Sequence, residues 1–283
     1  MGGGLCIEAM DSPAAALEHA NEYLVGDPVE LNVIWSILEQ RADSGMPGRY
    51  WLVESDGRVA GIVLESPPSH PAAISPLGAA HASALAEEIS VEGHRLSGVA
   101  GEASSAAHFA GCWTEKVRTA AIVQDAQRLY VLGSLVQPDG VLGHLRRAER
   151  SEQGLVLEWW TEFQVETGSP RFDLSMAVDS ALSAGRVFVW EDDGPRCLAR
   201  ATEPLGGISR IGAVYTPPRD RRHGYGAACV GSLSAWVRSE EGANSILYAQ
   251  LSNPGSNAIY RRLGFEAVSE SLAYRFGEKV VTP

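Results

Sequence analysis

Several motifs are missing from this 283-residue chain, and each absence excludes a class of protein. No apolar run reaches the roughly 18–20 residues that span a bilayer, so we predict no membrane partner. The four cysteines form no Cys-x-x-Cys pair and no His-Glu-x-x-His motif occurs, so we predict no bound metal. Neither Gly-x-Gly-x-x-Gly nor a Walker motif is present, which argues against these two kinds of phosphate site.

Positive charge is scarce, since 23 Lys and Arg stand against 35 Asp and Glu and give a net charge of −12. Because nucleic-acid binding needs a basic face, this balance argues against a nucleic-acid partner. The acidity suits either a cationic substrate or solubility alone. We see no secretory signal, so we expect a cytoplasmic protein, present as a monomer or a homodimer.

The most informative stretch is 215–227, Tyr-Thr-Pro-Pro-Arg-Asp-Arg-Arg-His-Gly-Tyr-Gly-Ala. It follows an apolar run at 208–214 and precedes an Ala-rich helical pattern at 227–238. The prolines end a strand, and the glycines let the backbone approach a ligand closely. The first N–H groups of the following helix and the positive end of its dipole then face an anion. The stretch therefore predicts a phosphate-binding turn between a strand and a helix.

A second segment, at 246–265, supports a more specific interpretation of this turn. It predicts a strand that ends at Asn253 and a helix that carries Tyr260, followed by Leu-Gly-Phe. Together with the Arg-x-x-Gly-x-Gly motif at 221–226, it resembles the acetyl-CoA-binding core of the GCN5-related N-acetyltransferase (GNAT) superfamily. The resemblance covers roughly 186–276.

The resemblance implies acetyl-CoA as co-substrate and assigns contacts to it. The backbone at 214–216 would pair with the pantetheine arm, and the N–H groups at 222–227 would hold the pyrophosphate. Asn253 would contact the cofactor near the pantetheine, and Tyr260 would lie near the thioester sulfur. The cofactor-binding residues that it implies are Val214, Tyr215, Thr216, Arg221, Arg222, His223, Gly224, Tyr225, Gly226, Ala227 and Asn253.

The chemistry of acetyl transfer explains these residue types. A phenol with a pKa of ~10 can give a proton to a departing thiolate, so Tyr260 is the predicted catalytic acid. A backbone N–H of the 208–214 strand would polarise the thioester carbonyl. That strand contains no acid and carries Arg210 where a base is sought. The base therefore stays open between solvent and three carboxylates at other positions, Glu158, Glu162 and Glu203.

Each of these assignments has a purely structural alternative. Asn253 precedes a proline and can act as a helix cap alone. Tyr260 can be a core residue, and the arginines of the turn can be solvated. An aromatic cluster predicted to form either core or acceptor pocket consists of Trp159, Trp160, Phe163 and Tyr215.

The length and the 45% hydrophobic content suit two domains of about 140 residues each. Asp-Gly hairpin turns at 56–57 and 193–194 are 137 residues apart, which suggests a repeat. The helix predicted at 79–91 follows no counterpart of the basic turn. We therefore expect an α/β fold with mixed sheets flanked by helices, as two tandem acyl-CoA N-acyltransferase-like domains. They would be a degenerate GNAT-like domain at 1–136 and a catalytic GNAT domain at 137–283.

The resulting hypothesis is an N-acetyltransferase that moves an acetyl group from acetyl-CoA to a primary amine by direct attack. The acceptor would be a small molecule or a peptide, and its identity stays open. The alternative is a regulatory or scaffold protein that binds acyl-CoA without turnover, which the missing acid at 208–214 favours.

Overall fold

The structure is a computed structural model, and it describes residues 5–46, 48–67, 70–168 and 173–277. Two compact units are present, the first formed by residues 5–128, 250–252 and 269–277 and the second by 129–249 and 253–268. The division of the chain into two domains at a single boundary after residue 136 stays a prediction. In the four described ranges, no helix is long and apolar enough to cross a membrane.

The first unit is a sheet with helices on it. Its sheet follows the order β1-β2-β3-β4-β5-β12, in which β4 and β5 are parallel and every other pair is antiparallel. Its elements are β1 (Cys6–Met10), α1 (Pro13–His19), α2 (Asn21–Gly26), α3 (Asn32–Ser44), β2 (Tyr50–Ser55), β3 (Arg58–Leu64), β4 (Ala72–Ile74), α4 (Ala79–Val91), β5 (Gly98–Glu102) and α5 (Ala103–Val117). Strands β6 (Ala120–Leu132) and β12 (Phe265–Gly277) contribute residues to both units.

The second unit repeats this topology in the order β7-β8-β9-β10-β11, with three antiparallel pairs and a final parallel pair. Its strands are β7 (His144–Arg147), β8 (Val187–Glu191), β9 (Pro195–Ala201), β10 (Ile208–Tyr215) and β11 (Asn244–Gln250). Its helices are α6 (Gln153–Thr167), α7 (Ser175–Ser183), α8 (Tyr225–Glu241) and α9 (Pro254–Arg262), with short 3-10 helices at Arg150–Glu152 and Pro218–Asp220.

The two Asp-Gly turns have the same conformation in both units. Asp56 and Asp193 have φ of 53° and 50°, and the glycines that follow them also have positive φ. Two successive residues with positive φ define the hairpin turn whose twist fits the flanking strands. The predicted mixed-sheet fold with two tandem domains is thus confirmed.

The second unit has a separate core on each face of its sheet. On one face, strand residues pack with α8 and α9, around Cys229, Leu233 and Leu263. On the other face, they pack with α6 and α7, around Val156, Trp159 and Val178. We call these two faces of the sheet the α8 side and the α6 side.

Candidate functional site

The parallel strands β10 and β11 stay paired over only part of their length. Their register runs from Ile208 to Ile211 on β10, although β10 continues to Tyr215 and β11 to Gln250. The pairing of β10 with β9 is irregular between Gly212 and Tyr215, and Ala213 has a φ of +48°. A positive φ is rare for alanine and marks a bulge that turns the strand. The backbone from residue 212 onward is therefore directed away from β11.

The turn after β10 is anchored by a buried carboxylate. Asp220 is 6% exposed and accepts hydrogen bonds from Arg196 (3.1 Å) and Arg219 (3.2 Å). Beyond it, Arg222 and Gly224 have φ of 67° and 87°. Asp220 has no signal in the sequence, because its partner Arg196 lies 24 positions earlier and no local pattern links the two.

The turn ends at the N-terminus of α8, where three N–H groups have no intrahelical acceptor. The first intrahelical bond runs from the Ala228 N–H to the Gly224 carbonyl (3.0 Å), and no side chain caps the helix. The N–H groups of Tyr225, Gly226 and Ala227 are thus available to an anion. A Cβ on Gly226 would approach only Thr216 Oγ1, at 3.5 Å, so this side of the turn is open.

The arginines of the turn differ in their partners. Arg221 donates from Nη2 to both carboxylate oxygens of Glu166, at 2.7 and 2.6 Å, and from Nε to the Thr216 carbonyl. Arg222 is exposed and makes no ion pair with any residue in the described ranges. The charge of Arg222 is thus the one left for a phosphate.

His223 and Tyr225 form a stacked pair on the same turn, with ring centres 5.6 Å apart. The Tyr225 hydroxyl donates to Asp192 Oδ2 (2.6 Å). This hydrogen bond to an acceptor carboxylate raises the pKa of Tyr225 above its ordinary value. Both side chains therefore shape the turn, and their predicted contact with the cofactor would come from the backbone.

Tyr260 lies on α9, with its side chain 9% exposed on the α8 side. Its ring centre is 6.3 Å from that of Tyr130. Burial raises the pKa of Tyr260, the thiols of Cys197 and Cys229 add to this, and a hydrogen bond with Ser256 opposes it. The hydroxyl is consequently protonated at neutral pH, as a general acid must be.

Asn253 acts as the N-cap of α9. Its Oδ1 accepts from the Ser256 N–H at 3.0 Å, and its carbonyl accepts from Asn257 Nδ2 at 2.7 Å. Asn257 in turn accepts from the Tyr130 hydroxyl (2.8 Å). The helix-cap role that the sequence allowed for Asn253 is thus present. Because Asn253 is exposed and caps through Oδ1, its Nδ2 group stays available to a ligand.

The three candidate bases have different surroundings. Glu203 is ion-paired with Arg186, which lowers the pKa of the Glu203 carboxyl. Glu158 is exposed on α6. Glu162 is half-buried on the same helix and lies near the Tyr215 hydroxyl, which itself donates to Glu166 Oε1 (3.3 Å). Burial first, and Glu162 and Glu166 next, raise the pKa of Tyr215. Of these three carboxylates, Glu162 is therefore the one that lies near Tyr215, a predicted cofactor-binding residue.

The predicted aromatic cluster is core. Trp159 and Trp160 are 2% and 5% exposed on the α6 side, and Phe163 packs against the same core. The Trp159 ring lies 6.3 Å from that of Tyr215, centre to centre. The buried rings therefore form core, and at most a half-buried ring such as Phe163 could contact an acceptor.

One group of possible metal ligands occurs in the first unit, formed by Glu8, His19 and Glu54. His19 Nε2 is 2.6 Å from Glu54 Oε1, and His19 Nδ1 is 3.6 Å from Glu8 Oε2. A hydrogen bond between His19 and Glu54 already joins two of these three side chains.

Comparison with known proteins agrees with this geometry. Residues 198–274 match the family described as FR47-like protein. No curated protein matches the chain by sequence.

Three solved structures are similar to the chain along nearly its whole length. A GNAT-family acetyltransferase from Colwellia psychrerythraea has a TM-score of 0.61 and 12% identity, covering 96% of this chain and 100% of its own. A GCN5-related N-acetyltransferase from Sphaerobacter thermophilus has a TM-score of 0.57 and 15% identity, covering 95% of each chain. A tandem GNAT protein from the clavulanic acid biosynthesis pathway has a TM-score of 0.54 and 14% identity, covering 99% and 100%. At such identities the likeness concerns the fold.

Proposed function

We propose that the chain is a GNAT-type acetyltransferase whose second unit transfers an acetyl group from acetyl-CoA to a primary amine. The FR47-like match at residues 198–274 and the likeness of the fold to that of a tandem GNAT protein support this proposal. The observation that carries the proposal is the parting of β10 from β11 beside the uncapped N-terminus of α8. Parted strands offer backbone groups to an amide-containing arm, and free helical N–H groups offer donors to a pyrophosphate. Acetyl-CoA carries both groups.

The binding roles follow the geometry of the turn. The backbone of Val214, Tyr215 and Thr216 would pair with the pantetheine amides, and the N–H groups of 222–227 would bind the pyrophosphate. Arg222 would add its charge, whereas Arg221 would do so only by exchanging Glu166 for a phosphate oxygen. The predicted pantetheine contact of Asn253 belongs to this arrangement.

The transfer itself needs one nucleophile, one base and one acid. The amine nitrogen attacks the thioester carbonyl carbon, the carbon–sulfur bond breaks, and the amide product and CoA separate. Glu162, or a water that it holds, would accept the proton of the amine from the α6 side. Tyr260 would give its proton to the departing sulfur from the α8 side. Solvent would then return a proton to Tyr260.

The first unit is assigned no acyl-CoA in this proposal, and the catalytic domain is the one expected at 137–283. The acceptor is a small-molecule or peptide amine, and the protein acts in the cytoplasm as a monomer or a homodimer without metal, membrane or nucleic acid. The second candidate is a binder without turnover, favoured by the absence of an acid on β10.

The test is Tyr260→Phe, assayed by the release of CoA thiol from acetyl-CoA with an amine panel. Loss of a general acid should lower kcat by roughly 10²–10⁴-fold. The Kd for CoA should change less than about two-fold, because the phosphate contacts remain. Tyr274→Phe removes a hydroxyl from β12 in the first unit and is the matched control.

Two outcomes would contradict the proposal. An unchanged rate in Tyr260→Phe would remove Tyr260 as the acid. Acetyl-CoA binding with no turnover of any amine by the wild-type protein would select the non-catalytic binder instead.

A further inference from the structure

Arg200 on β9 carries a positive charge that no carboxylate in the described ranges balances. Its Nε is buried without a hydrogen-bond partner. Burial lowers the pKa of its guanidinium, and the nearby charge of Arg186 adds to the effect. Three other arginines of the second unit that are half-buried or buried do pair with carboxylates, namely Arg146, Arg186 and Arg196.

Trp160 presents a second donor beside this guanidinium. The Arg200 Cζ lies 6.0 Å from the centre of the Trp160 ring, and the Trp160 side chain is 5% exposed. Its indole Nε1–H is buried and has no hydrogen-bond partner among the residues that the structure describes. Two neighbouring N–H donors without acceptors are destabilising unless an acceptor from outside supplies oxygens.

Arg200 lies at the point where β10 leaves β11. Its Cα faces Gly212 in the register of β9 with β10, and Gly212 follows Ile211, the last residue of β10 that pairs with β11. Ala199 and Ala201, on either side of Arg200, point into the α8-side core. Because side chains alternate along a strand, Arg200 lies on the α6 side.

Arg210 and Tyr248 share that side, since Ile211, Leu247 and Ala249 point into the α8-side core. Burial lowers the pKa of Arg210, Tyr248 opposes this, and the charge of Arg200 lowers it further. The two guanidinium groups are thus close enough for their charges to interact. Two guanidinium groups thus lie on the α6 side next to the point where β10 leaves β11, in a chain whose net charge is −12.

We propose that Arg200 binds an anionic oxygen group of the acceptor, a carboxylate or a phosphate, so that the acceptor is an amino acid or a related anionic amine. This rests on the proposed function, in which the acceptor amine attacks the thioester of acetyl-CoA held along β10. Arg200 as a whole is half-buried, and Nε is its nitrogen that is fully buried without a partner. The anion is assigned to the two terminal nitrogens. They match two oxygens in the fork geometry of guanidinium pairs.

The experiment compares acceptors that differ only in their anionic group. Each amino acid is assayed beside its own amide, and phosphoethanolamine beside ethanolamine, by release of CoA thiol. The preferred anionic member should have a kcat/KM about 10- to 100-fold above that of its neutral partner. The amino-acid arm and the phosphate arm show which anion is bound.

Arg200→Gln should raise KM for the anionic acceptor by a similar factor, with kcat nearly unchanged and the neutral amine unaffected. Arg200→Lys keeps the charge and should restore part of the affinity. Arg150→Gln, at an arginine whose side chain is 72% exposed in the same unit, is the matched control. Thermal unfolding of each variant confirms that it is folded.

Equal rates for anionic and neutral acceptors, or an Arg200→Gln loss that falls equally on both, would overturn the inference. If no amine supports CoA release, the proposed function fails instead. In that case, calorimetry with N-acetyl amino acids and N-acetylphosphoethanolamine decides the inference alone. Binding to the wild-type protein and its loss in Arg200→Gln would support the anion site, and equal binding or none would refute it.

Discussion

The two units share a topology and differ at one connection, between the first strand of the parallel pair and the next helix. In the second unit, 13 residues (212–224) separate the last paired residue of β10 from α8. In the first unit, four residues (75–78) separate the last paired residue of β4 from α4. The longer connection gives room for a bulge and a basic turn, whereas the shorter one leads directly into the helix.

The first unit fills this region with its own groups. The buried side chain of Leu77 packs so closely on Gly61 that a Cβ there would lie 2.0 Å from Leu77 Cδ2. Both the N–H and the carbonyl of Leu77 bond to Ser105 Oγ, at 2.8 and 3.1 Å. One fold thus yields an open site or a packed core according to a single loop.

The two units also differ in the helix that follows the second strand of the parallel pair, which is α5 in the first unit and α9 in the second. Glu102 caps α5 through its side chain, as Asn253 caps α9. Seven residues after each cap stand Phe109, fully buried, and Tyr260. The first unit thus has, at this position, the side chain that Tyr260→Phe would create in the second, without a hydroxyl that could donate a proton.

The largest difference between the two units should appear when the glycine before α8 or the glycine before α4 is replaced by alanine. Gly224 has a φ of +87°, and a Cβ there would lie 2.9 Å from Val141 Cγ2. Gly224→Ala should therefore lower the free energy of unfolding by about 2 kcal/mol and weaken CoA binding. Gly78 has a φ of −62° and nothing within 4 Å of a Cβ. Gly78→Ala should cost less than about 1 kcal/mol.

Urea unfolding measures the stability of both variants, and calorimetry measures CoA affinity. Equal effects of the two substitutions on CoA affinity would show that the turn of the second unit has no special role in binding. A large loss of CoA affinity in Gly78→Ala alone would indicate that the cofactor binds to the first unit.

A smaller effect on CoA affinity is expected from Arg221 and Arg222, two charges that have no counterpart in the short connection of the first unit. Arg222→Gln should weaken CoA binding about 5- to 10-fold, because this charge has no carboxylate partner in the described part of the chain. Arg221→Gln should cost less than about three-fold, since Glu166 already neutralises Arg221. Calorimetric titration with CoA at low and at high salt compares the two. The reverse order would show that Arg221 leaves Glu166 for the phosphate.

The smallest effect concerns pH and the hydroxyl that distinguishes Tyr260 from Phe109. The pKa of Tyr260 is raised by burial, so its contribution to stability is complete below about pH 10 and is lost as pH rises toward the raised value. Wild type should lose roughly 1 kcal/mol from this group between pH 9 and pH 11, and Tyr260→Phe should not. Unfolding free energies at both pH values measure the difference. Parallel losses would show that Tyr260 is not the buried titrating group.

Local patterns predicted the elements that the comparison depends on. The helix expected at 79–91 is α4 with the same bounds, and the strand expected at 208–214 is β10 with one further residue. Pro-Pro and Gly-x-Gly define the ends of the turn through backbone preferences that act within a few residues. The elements of the second unit were therefore within reach of sequence reasoning, although the roles of their residues stay predictions.

Contacts between distant positions could not be predicted in this way. The Gly-, Ser- and Ala-rich stretch at 92–119 contains β5 and α5, which are hard to predict because small residues give little periodic contrast. The pairing of Arg221 with Glu166 joins residues 55 positions apart. The sequence gives no signal for Arg200, because its buried Nε without a partner becomes apparent only when burial and hydrogen bonds are known.

Strand β12 gives the chain a particular order of assembly during translation. Strand β5 of the first unit pairs from Gly98 to Glu102 with Arg275 to Ser271 of β12. At about 5–20 residues per second, a ribosome needs roughly 8–34 seconds to make the intervening chain. During that time the edge of β5 lacks its final partner, and an unpaired edge is a site for aggregation or chaperone binding. The unit whose synthesis starts first is therefore the one whose sheet closes last.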